Sequence, residues 1–150
     1  MDFREIKDVL VSFPGVIDTP KGEVMKIMKK SDPEFVNFGE AYFSVVRKGM
    51  IKGLKRHSRM TCNLVVPAGS VTFLLFDDRK GSGTFGFVQR VNLSRSQYKK
   101  LTIPPGVIYG FIGEEENNII LNIADIEHDP DESQNLPVDS GIFPGDLWKS

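Results

Sequence analysis

Short apolar stretches bounded by turn residues recur along most of the chain. Glycine- and proline-containing turns separate them at spacings of roughly 8 to 12 residues between Val9 and Ile126. Eight or more short strands at this spacing predict a β-sandwich or barrel, because no segment has a long helical period. One short helix is predicted at residues 94–99, with Ser94 as its N-cap. We therefore expect an all-β fold.

The organisation along the chain predicts a single domain with three parts. Residues 1–40 carry N-terminal strands, and residues 41–126 form the barrel core. Residues 127–150 are polar, contain three prolines and have no periodicity, which predicts a tail. This tail also carries apolar residues that indicate docking against the core, namely Phe143, Leu147 and Trp148.

Strand alternation divides the predicted strand at residues 50–57 into two faces. Lys55 and His57 fall on the same face, and Arg59 joins them if the strand continues. The first face contains Ile51, Gly53, Lys55 and His57, and the second contains Met50, Lys52, Leu54 and Arg56.

Composition and charge narrow the function classes. The 150 residues carry 19 Lys and Arg against 20 Asp and Glu, for a net charge of -1. This balance argues against nucleic-acid binding by phosphate neutralisation, which favours a basic excess. Hydrophobic residues make up 40%, which excludes a disordered chain. The single cysteine, Cys62, forms no internal disulfide, and no leader or membrane-length apolar run occurs. These features favour the cytoplasm and no membrane partner.

Two glycine-bracketed stretches resemble the cupin motifs, in which histidines and a carboxylate bind a metal inside a jelly-roll barrel. The first runs from Gly49 to Gly69, and the second begins at Pro104. At the four ligand positions stand Lys55, His57, Cys62 and Tyr109. Only His57 is a usual metal ligand at its position, so we expect a double-stranded β-helix, or jelly-roll cupin barrel, without a metal.

Four segments resemble the dTDP-4-dehydrorhamnose 3,5-epimerase family, in the family's order, between about Phe38 and Trp148. They are GMIKGLKRHSRMTCNLVVPAGSVTFLLFDDR, GSGTFGFVQRVNLS, LTIPPGVIYGF and NIADIEHDPDE. The resemblance implies a metal-free, cofactor-free homodimer that acts on a dTDP-4-keto-6-deoxyhexose in surface polysaccharide biosynthesis. The implied chemistry is proton removal beside the C4 ketone, followed by reprotonation from the other face. Family members are commonly somewhat longer than this chain.

The chain departs from the family at its catalytic positions. The family's base is a histidine in an R-G-x-H stretch, and the matching position here is Lys55. A second family histidine is replaced by Tyr109. The family's acid is a tyrosine on a late strand, where this chain has Leu121 or Asn122. The 3,5-epimerase reaction therefore needs other residues here.

His57 and Tyr109 are the predicted catalytic residues. Imidazole titrates near neutral pH, and a lysine ammonium nearby favours the neutral form that a base requires. Tyr109 is then either the acid or a hydrogen-bond donor to the enolate. The structural alternative is a histidine that only hydrogen-bonds inside a polar barrel mouth. Lys55 is either a cation that holds a phosphate, carboxylate or enolate, or a base after desolvation.

Further substrate contacts are predicted at three positions. Asn63 stands where the family usually has a lysine near the sugar, and Arg59 matches a phosphate-binding position or a surface position. Asp78 lies in a D-x-R stretch, for which a structural ion pair is the alternative. His128, in EHDPDE, is either catalytic or a solvated loop residue.

Two other functions remain open at this point. One is a non-catalytic cupin that binds a nucleotide sugar and has lost the acid and base. The other is a 3,4-ketoisomerase, which the motif neighbours favour less than the epimerase.

Overall fold

Two five-stranded antiparallel sheets face each other, and a separate two-stranded hairpin lies beside them. The computed structural model describes residues 2–149. The sheet orders are β1-β9-β6-β11-β4 and β12-β5-β10-β7-β8, and β2 pairs with β3. This arrangement confirms the all-β jelly-roll prediction. The elements are β1 (Leu10–Ser12), β2 (Val16–Thr19), β3 (Gly22–Met25), β4 (Glu40–Arg47), β5 (Ile51–His57), β6 (Cys62–Ala68), β7 (Ser70–Asp77), β8 (Val88–Ser94), β9 (Lys100–Ile103), β10 (Val107–Gly113), β11 (Asn117–Ala124), β12 (Ser133–Asn135) and a 3₁₀ turn (Gly145–Trp148).

The main core fills the space between the two sheets. Alternate residues of each strand point into it, so that Val71, Phe73 and Leu75 of β7 are fully buried. The opposite face of β7 is also covered, because Leu74 packs against the end of the chain. The chain's own C-terminal segment covers this face, through Phe143, Leu147 and Trp148.

A bulge in β5 decides which side chains reach the interior. Tyr109 of β10 lies opposite Lys55, whereas the next residue, Gly110, lies opposite Gly53, so Leu54 is an extra residue in the strand. Gly53 has a φ of 101°, and an added Cβ would meet backbone atoms of β10 at 3.0 Å, so this position requires glycine.

The bulge corrects the predicted alternation of this strand. Ile51 and Leu54 pack together in the cluster formed with the C-terminal segment. Lys52 consequently lies on the same side as Lys55 instead of on the opposite face. Side chains of β5 alternate strictly between the two faces of the sheet only after the extra residue, Leu54.

Helices are nearly absent from the described part of the chain. The predicted helix at residues 94–99 was wrong, because Ser94 ends β8 and residues 95–99 form a turn before β9. Ser94 does act as expected of a cap, since its Oγ accepts a hydrogen bond from the Gln97 amide at 3.0 Å. The chain enters β9 at Lys100 before a helical turn can extend. Within residues 2–149, no helix has the length and apolar character needed to cross a membrane.

Candidate active site

A cleft of about 220 Å³ opens between the two sheets. One wall comes from β5 and β10, and the other comes from β4, β6 and β11. The first wall contains Lys52, Gly53, Lys55, Tyr109 and Phe111, and the second contains Tyr42, Ser44, Leu64, Ile120 and Asn122. The cleft therefore combines apolar surface with a few polar groups, which is typical of a small-molecule site.

Two lysines give the cleft its positive charge. Lys52 Nζ donates to Ser44 Oγ at 2.9 Å and to the Val45 carbonyl at 3.1 Å, and thereby joins the two walls. Lys55 Nζ has no hydrogen-bond or ion-pair partner within residues 2–149. The Lys55 ammonium is thus free to hold an anionic oxygen of a ligand.

Glu132, His57 and Tyr109 form a buried chain of hydrogen bonds that ends at the cleft wall. His57 Nδ1 lies 2.6 Å from Glu132 Oε1, and His57 Nε2 lies 3.4 Å from the Tyr109 hydroxyl. All three residues are buried, with exposures of 4% for Glu132, 6% for His57 and 6% for Tyr109. His57 itself does not line the cleft and reaches it through Tyr109.

The Glu132 carboxylate is held in its ionised form. Its second oxygen, Oε2, accepts hydrogen bonds from the backbone amides of Arg59 and Met60, both at 2.8 Å. Burial raises the pKa of Glu132, but the hydrogen bonds from His57 and these two amides outweigh burial and lower its pKa to about 2. An ionised carboxylate only accepts hydrogen bonds, so the His57 proton lies on Nδ1 and the Nε2 lone pair faces Tyr109.

The Tyr109 hydroxyl contacts two polar side chains. It lies 3.4 Å from His57 Nε2 and 3.8 Å from Cys62 Sγ. Burial raises the pKa of Tyr109 well above 10 and raises the pKa of the Cys62 thiol to about 11. Both groups are therefore protonated near neutral pH, and Tyr109 donates its proton towards His57.

His57 and Tyr109 lie on the same side of the cleft, where Tyr109 lines the wall and His57 lies behind it. They lie on β5 and β10, which are neighbours in one sheet, and their side chains contact each other. A base and an acid that serve opposite faces of a sugar cannot both be placed there. In this geometry Tyr109 does not lie opposite His57, and the two side chains form one contacting pair.

Three residues predicted to bind substrate lie outside the cleft lining. Arg59 is exposed and its Nη2 pairs with Asp129 at 3.1 Å. Asn63 is buried and its Oδ1 accepts from the Thr102 hydroxyl at 2.7 Å. Asp78 forms an ion pair with Arg56. Each of these side chains is engaged by a neighbour, and their contact with substrate stays a prediction.

At two other positions singled out from the sequence, the structure favours the alternative without a role in catalysis or binding. His128 lies on an exposed loop, which agrees with the prediction of a solvated loop residue. In the D-x-R stretch, Arg79 Nε donates to Asp77 Oδ1 at 2.8 Å, so the structural ion pair is the observed arrangement.

Three site residues were not predicted from the sequence. Glu132 reaches His57 because β12 pairs with β5 and places Ser133 opposite His57. Lys52 enters the cleft through the bulge in β5, and Tyr42 enters it from β4. The acidic segment EHDPDE was a signal for Glu132, but only the long-range strand pairing identifies which carboxylate is used.

The residues at the cupin ligand positions do not fit a metal. Within residues 2–149, no group of three or more His, Cys, Asp or Glu side chains is placed to hold a metal ion. His57 Nδ1 is taken by Glu132, and its Nε2 faces a tyrosine hydroxyl. A lysine ammonium at the first ligand position, Lys55, also repels a cation.

The facing sheets and the polar cleft between them define a cupin-type barrel with a small-molecule site. The dTDP-4-dehydrorhamnose 3,5-epimerase family matches residues 4–143 of the sequence. This match covers nearly all of the chain, and the protein belongs to that family.

Known relatives agree with this assignment. A dTDP sugar isomerase from Desulfovibrio desulfuricans G20, known from its crystal structure, shares 35% sequence identity with this chain. The two structures superpose with a TM-score of 0.88 over 93% of this chain and 90% of the isomerase chain. The probable low-salt glycan biosynthesis epimerase of Haloferax volcanii is 28% identical over 97% of this chain and 96% of its own length. The dTDP-4-dehydrorhamnose 3,5-epimerase of Shigella flexneri is 31% identical over 71% of this chain and 64% of its own.

Proposed function

We propose that the protein is a nucleotide-sugar epimerase that removes a proton next to the C4 ketone of a dTDP-4-keto-6-deoxyhexose. Family membership supports the reaction class, and the name of the Desulfovibrio relative supports a dTDP sugar. The observation that carries the proposal is the chain of hydrogen bonds from Glu132 through His57 to Tyr109 at the wall of a lysine-containing cleft.

The proton-removal step uses this chain as one unit. The Tyr109 oxygen takes the proton from the carbon beside the ketone, while the Tyr109 proton passes to His57 Nε2. Glu132 then faces an imidazolium across 2.6 Å, and the ion pair stabilises the transferred proton. The 3.4 Å separation is long for a hydrogen bond, but catalytic contacts commonly shorten when substrate binds.

Lys55 stabilises the other product of that step. Removing the proton turns the ketone into an enolate, whose oxygen carries negative charge. The unpaired Lys55 ammonium in the same wall is suited to hold that oxygen. This assigns Lys55 the cation role and leaves proton removal to Tyr109 and His57.

The size of the cleft supports a position for the rest of the substrate outside it. A volume of about 220 Å³ suits a sugar ring, not a whole nucleotide sugar. We therefore expect the nucleotide to lie beyond the mouth of the cleft.

A homodimer is the expected assembly. β4 is an edge strand, and it exposes Phe43 and Val45, while the β2–β3 hairpin exposes Ile17 and Val24. Apolar residues exposed on an unpaired edge strand and on a hairpin favour burial against a second copy. Sedimentation velocity distinguishes the expected dimer of twice 16.8 kDa from a monomer.

The pathway and compartment follow from the same proposal. The glycan-biosynthesis name of the Haloferax relative supports a role in making surface polysaccharide. The buried, unpaired thiol of Cys62 is compatible with the reducing cytoplasm, where we expect the enzyme to act.

Deuterium incorporation tests the proposed reaction. The protein is incubated with a dTDP-4-keto-6-deoxyhexose in deuterium oxide, and the sugar is examined by NMR and mass spectrometry. We expect deuterium at C3 or C5 together with the epimerised sugar. Calorimetric binding without any exchange would identify the alternative, a nucleotide-sugar-binding cupin without catalysis. The observation that favours this alternative is Lys55, which stands in place of the family's histidine base.

A further inference from the structure

Epimerisation requires two proton-transfer groups on opposite sides of the reacting carbon. One group takes the proton from the first face, and another returns a proton to the second face. Tyr109 lines the wall formed by β5 and β10, and His57 contacts it from behind in the same sheet. If the proposed function holds, the missing acid must come from the wall formed by β4, β6 and β11.

That second wall offers few proton donors. Leu64 and Ile120 are apolar, and Asn122 carries an amide that does not titrate. Ser44 has a hydroxyl, but its oxygen accepts from Lys52 Nζ and a serine hydroxyl is a far weaker acid than a phenol. Within the described lining of this wall, Tyr42 is the one side chain with a titratable proton.

A short chain of hydrogen bonds fixes the Tyr42 hydroxyl. The Asn63 backbone amide donates to Asn122 Oδ1 at 3.1 Å, which sets the orientation of the Asn122 amide group. Asn122 Nδ2 then donates to the Tyr42 hydroxyl oxygen at 3.0 Å. Because the Tyr42 oxygen acts as the acceptor, its own proton remains available for a ligand.

The surroundings of Tyr42 suit an acid that is used repeatedly. Burial raises the pKa of Tyr42 above 10, so the hydroxyl is protonated near neutral pH. The residue nevertheless keeps 44% of its surface exposed, at the solvent side of the cleft. Water can therefore return a proton to the phenolate after each turnover.

We propose that Tyr42 is the catalytic acid that reprotonates the sugar from the face opposite Tyr109. In this step the Tyr42 O–H bond breaks, a C–H bond forms at the enolate carbon, and the enolate electrons form that bond. The negative charge moves from the enolate to the Tyr42 phenolate, which takes a proton from water. This inference rests on the proposed function and extends it to the second half of the reaction.

The three tyrosines of the chain provide the test. Tyr42→Phe, Tyr109→Phe and Tyr98→Phe each remove one hydroxyl and keep the ring. Tyr98 is the matched control, because its hydroxyl donates to the Lys26 carbonyl at 2.9 Å, away from the cleft. Each variant receives the keto sugar in deuterium oxide, and both deuterium content and the yield of inverted sugar are followed.

The Tyr42→Phe variant should separate exchange from inversion. Tyr109 and His57 can still remove the proton and return a deuteron to the same face, so deuterium enters the original epimer. Formation of the inverted sugar should fall by about 10²-fold or more. Tyr109→Phe should lose both exchange and inversion, and Tyr98→Phe should match the unaltered protein. A merely structural role for Tyr42 would lower exchange and inversion together.

The different failures are distinguishable. Inversion at the normal rate in Tyr42→Phe overturns the inference and leaves the proposed function intact. Loss of both exchange and inversion in Tyr42→Phe, with calorimetric binding retained, also overturns it, because Tyr42 would then act in proton removal. An unaltered protein that exchanges no deuterium overturns the proposed function and the inference with it. Tyr42 is partly exposed, so thermal unfolding should confirm that the phenylalanine variant folds normally.

Discussion

His57 Nδ1 lies 2.6 Å from Glu132 Oε1, although the two residues are 75 positions apart in the chain. Two backbone amides hold the other carboxylate oxygen, so Glu132 has no freedom to turn away from the imidazole. This pair sets which nitrogen of His57 carries the proton and which nitrogen faces Tyr109.

Glu132→Gln should reverse the tautomer of His57. If the glutamine oxygen keeps the two backbone amides, its NH₂ group faces His57 Nδ1, which must then accept. The proton moves to Nε2, and His57 no longer accepts from Tyr109. We expect kcat to fall by about 10²- to 10⁴-fold with little change in KM, as for other histidines forced into the wrong tautomer.

Nitrogen-15 NMR of the imidazole groups reads the tautomer directly in the ligand-free protein. The chain has two histidines, and the exposed His128 serves as an internal reference. Glu127→Gln, which alters an exposed carboxylate of the same segment, is the matched control and should leave both readouts unchanged. Finding the His57 proton on Nε2 in the unaltered protein would refute the assignment.

The same carboxylate predicts a pH dependence of stability. The pKa of Glu132 is about 2 in the folded protein and 4.5 as its ordinary value. Its contribution is therefore complete above pH 4.5 and is lost as the pH falls from 4.5 towards 2. The contribution is about 3 kcal/mol at neutral pH.

Denaturant unfolding of the unaltered protein and of Glu132→Gln, at successive pH values below 5.5, measures this contribution. The difference in unfolding free energy between the two proteins should shrink as the pH falls, because only the carboxylate titrates. Other acidic groups affect both proteins alike and cancel in the difference. A difference that stays constant across this pH range would show that Glu132 is not held ionised.

Substitutions at Lys55 separate its two alternative roles. If Lys55 is a cation that holds the enolate, its contribution to catalysis should be lost in Lys55→Ala. The contribution should be partly retained in Lys55→Arg, which keeps the charge. We expect kcat/KM to fall by about 10²-fold in the alanine variant and by much less in the arginine variant. Lys48→Ala is the control, since Lys48 is exposed and pairs weakly with Glu116 at 3.9 Å. Equal losses in both Lys55 variants would instead support Lys55 as a base.

The overall architecture could be predicted from sequence because its signals are local. Turn residues bound each short apolar stretch, which is the signal that predicts the strands. In the structure, alternate residues of β7 such as Val71, Phe73 and Leu75 lie in the core. The helix prediction at residues 94–99 failed because a single capping serine does not determine how many residues after it become helical. Local patterns therefore predict strands well and predict short turns poorly.

The site was only partly predictable because it depends on contacts between distant segments. The extra residue at Leu54 reverses the alternation upstream and brings Lys52 into the cleft, and no periodicity reveals where a strand bulges. Glu132 reaches His57 only after β12 joins β5. Tyr42 reaches Asn122 only after β4 pairs with β11. In each case the strand pairing, and not the residue type, brings the residue to the candidate site.

Lys100 should be important for stability but not for catalysis. Its side chain is 1% exposed, and Nζ lies 2.5 Å from Glu34 Oε1 and 2.9 Å from the Ile27 carbonyl, so it ties the segment before β4 to β9. Lys100→Met leaves the largely buried Glu34 carboxylate unpaired and should lower the unfolding free energy by about 3–5 kcal/mol. Adding Glu34→Met should recover part of this loss, because it removes the more buried of the two carboxylates that pair with Lys100, while Asp32, whose Oδ2 lies 3.4 Å from Nζ, remains. Urea denaturation measures both effects. Lys99→Met is the control, and an equal loss in that variant would contradict the role of the ion pair.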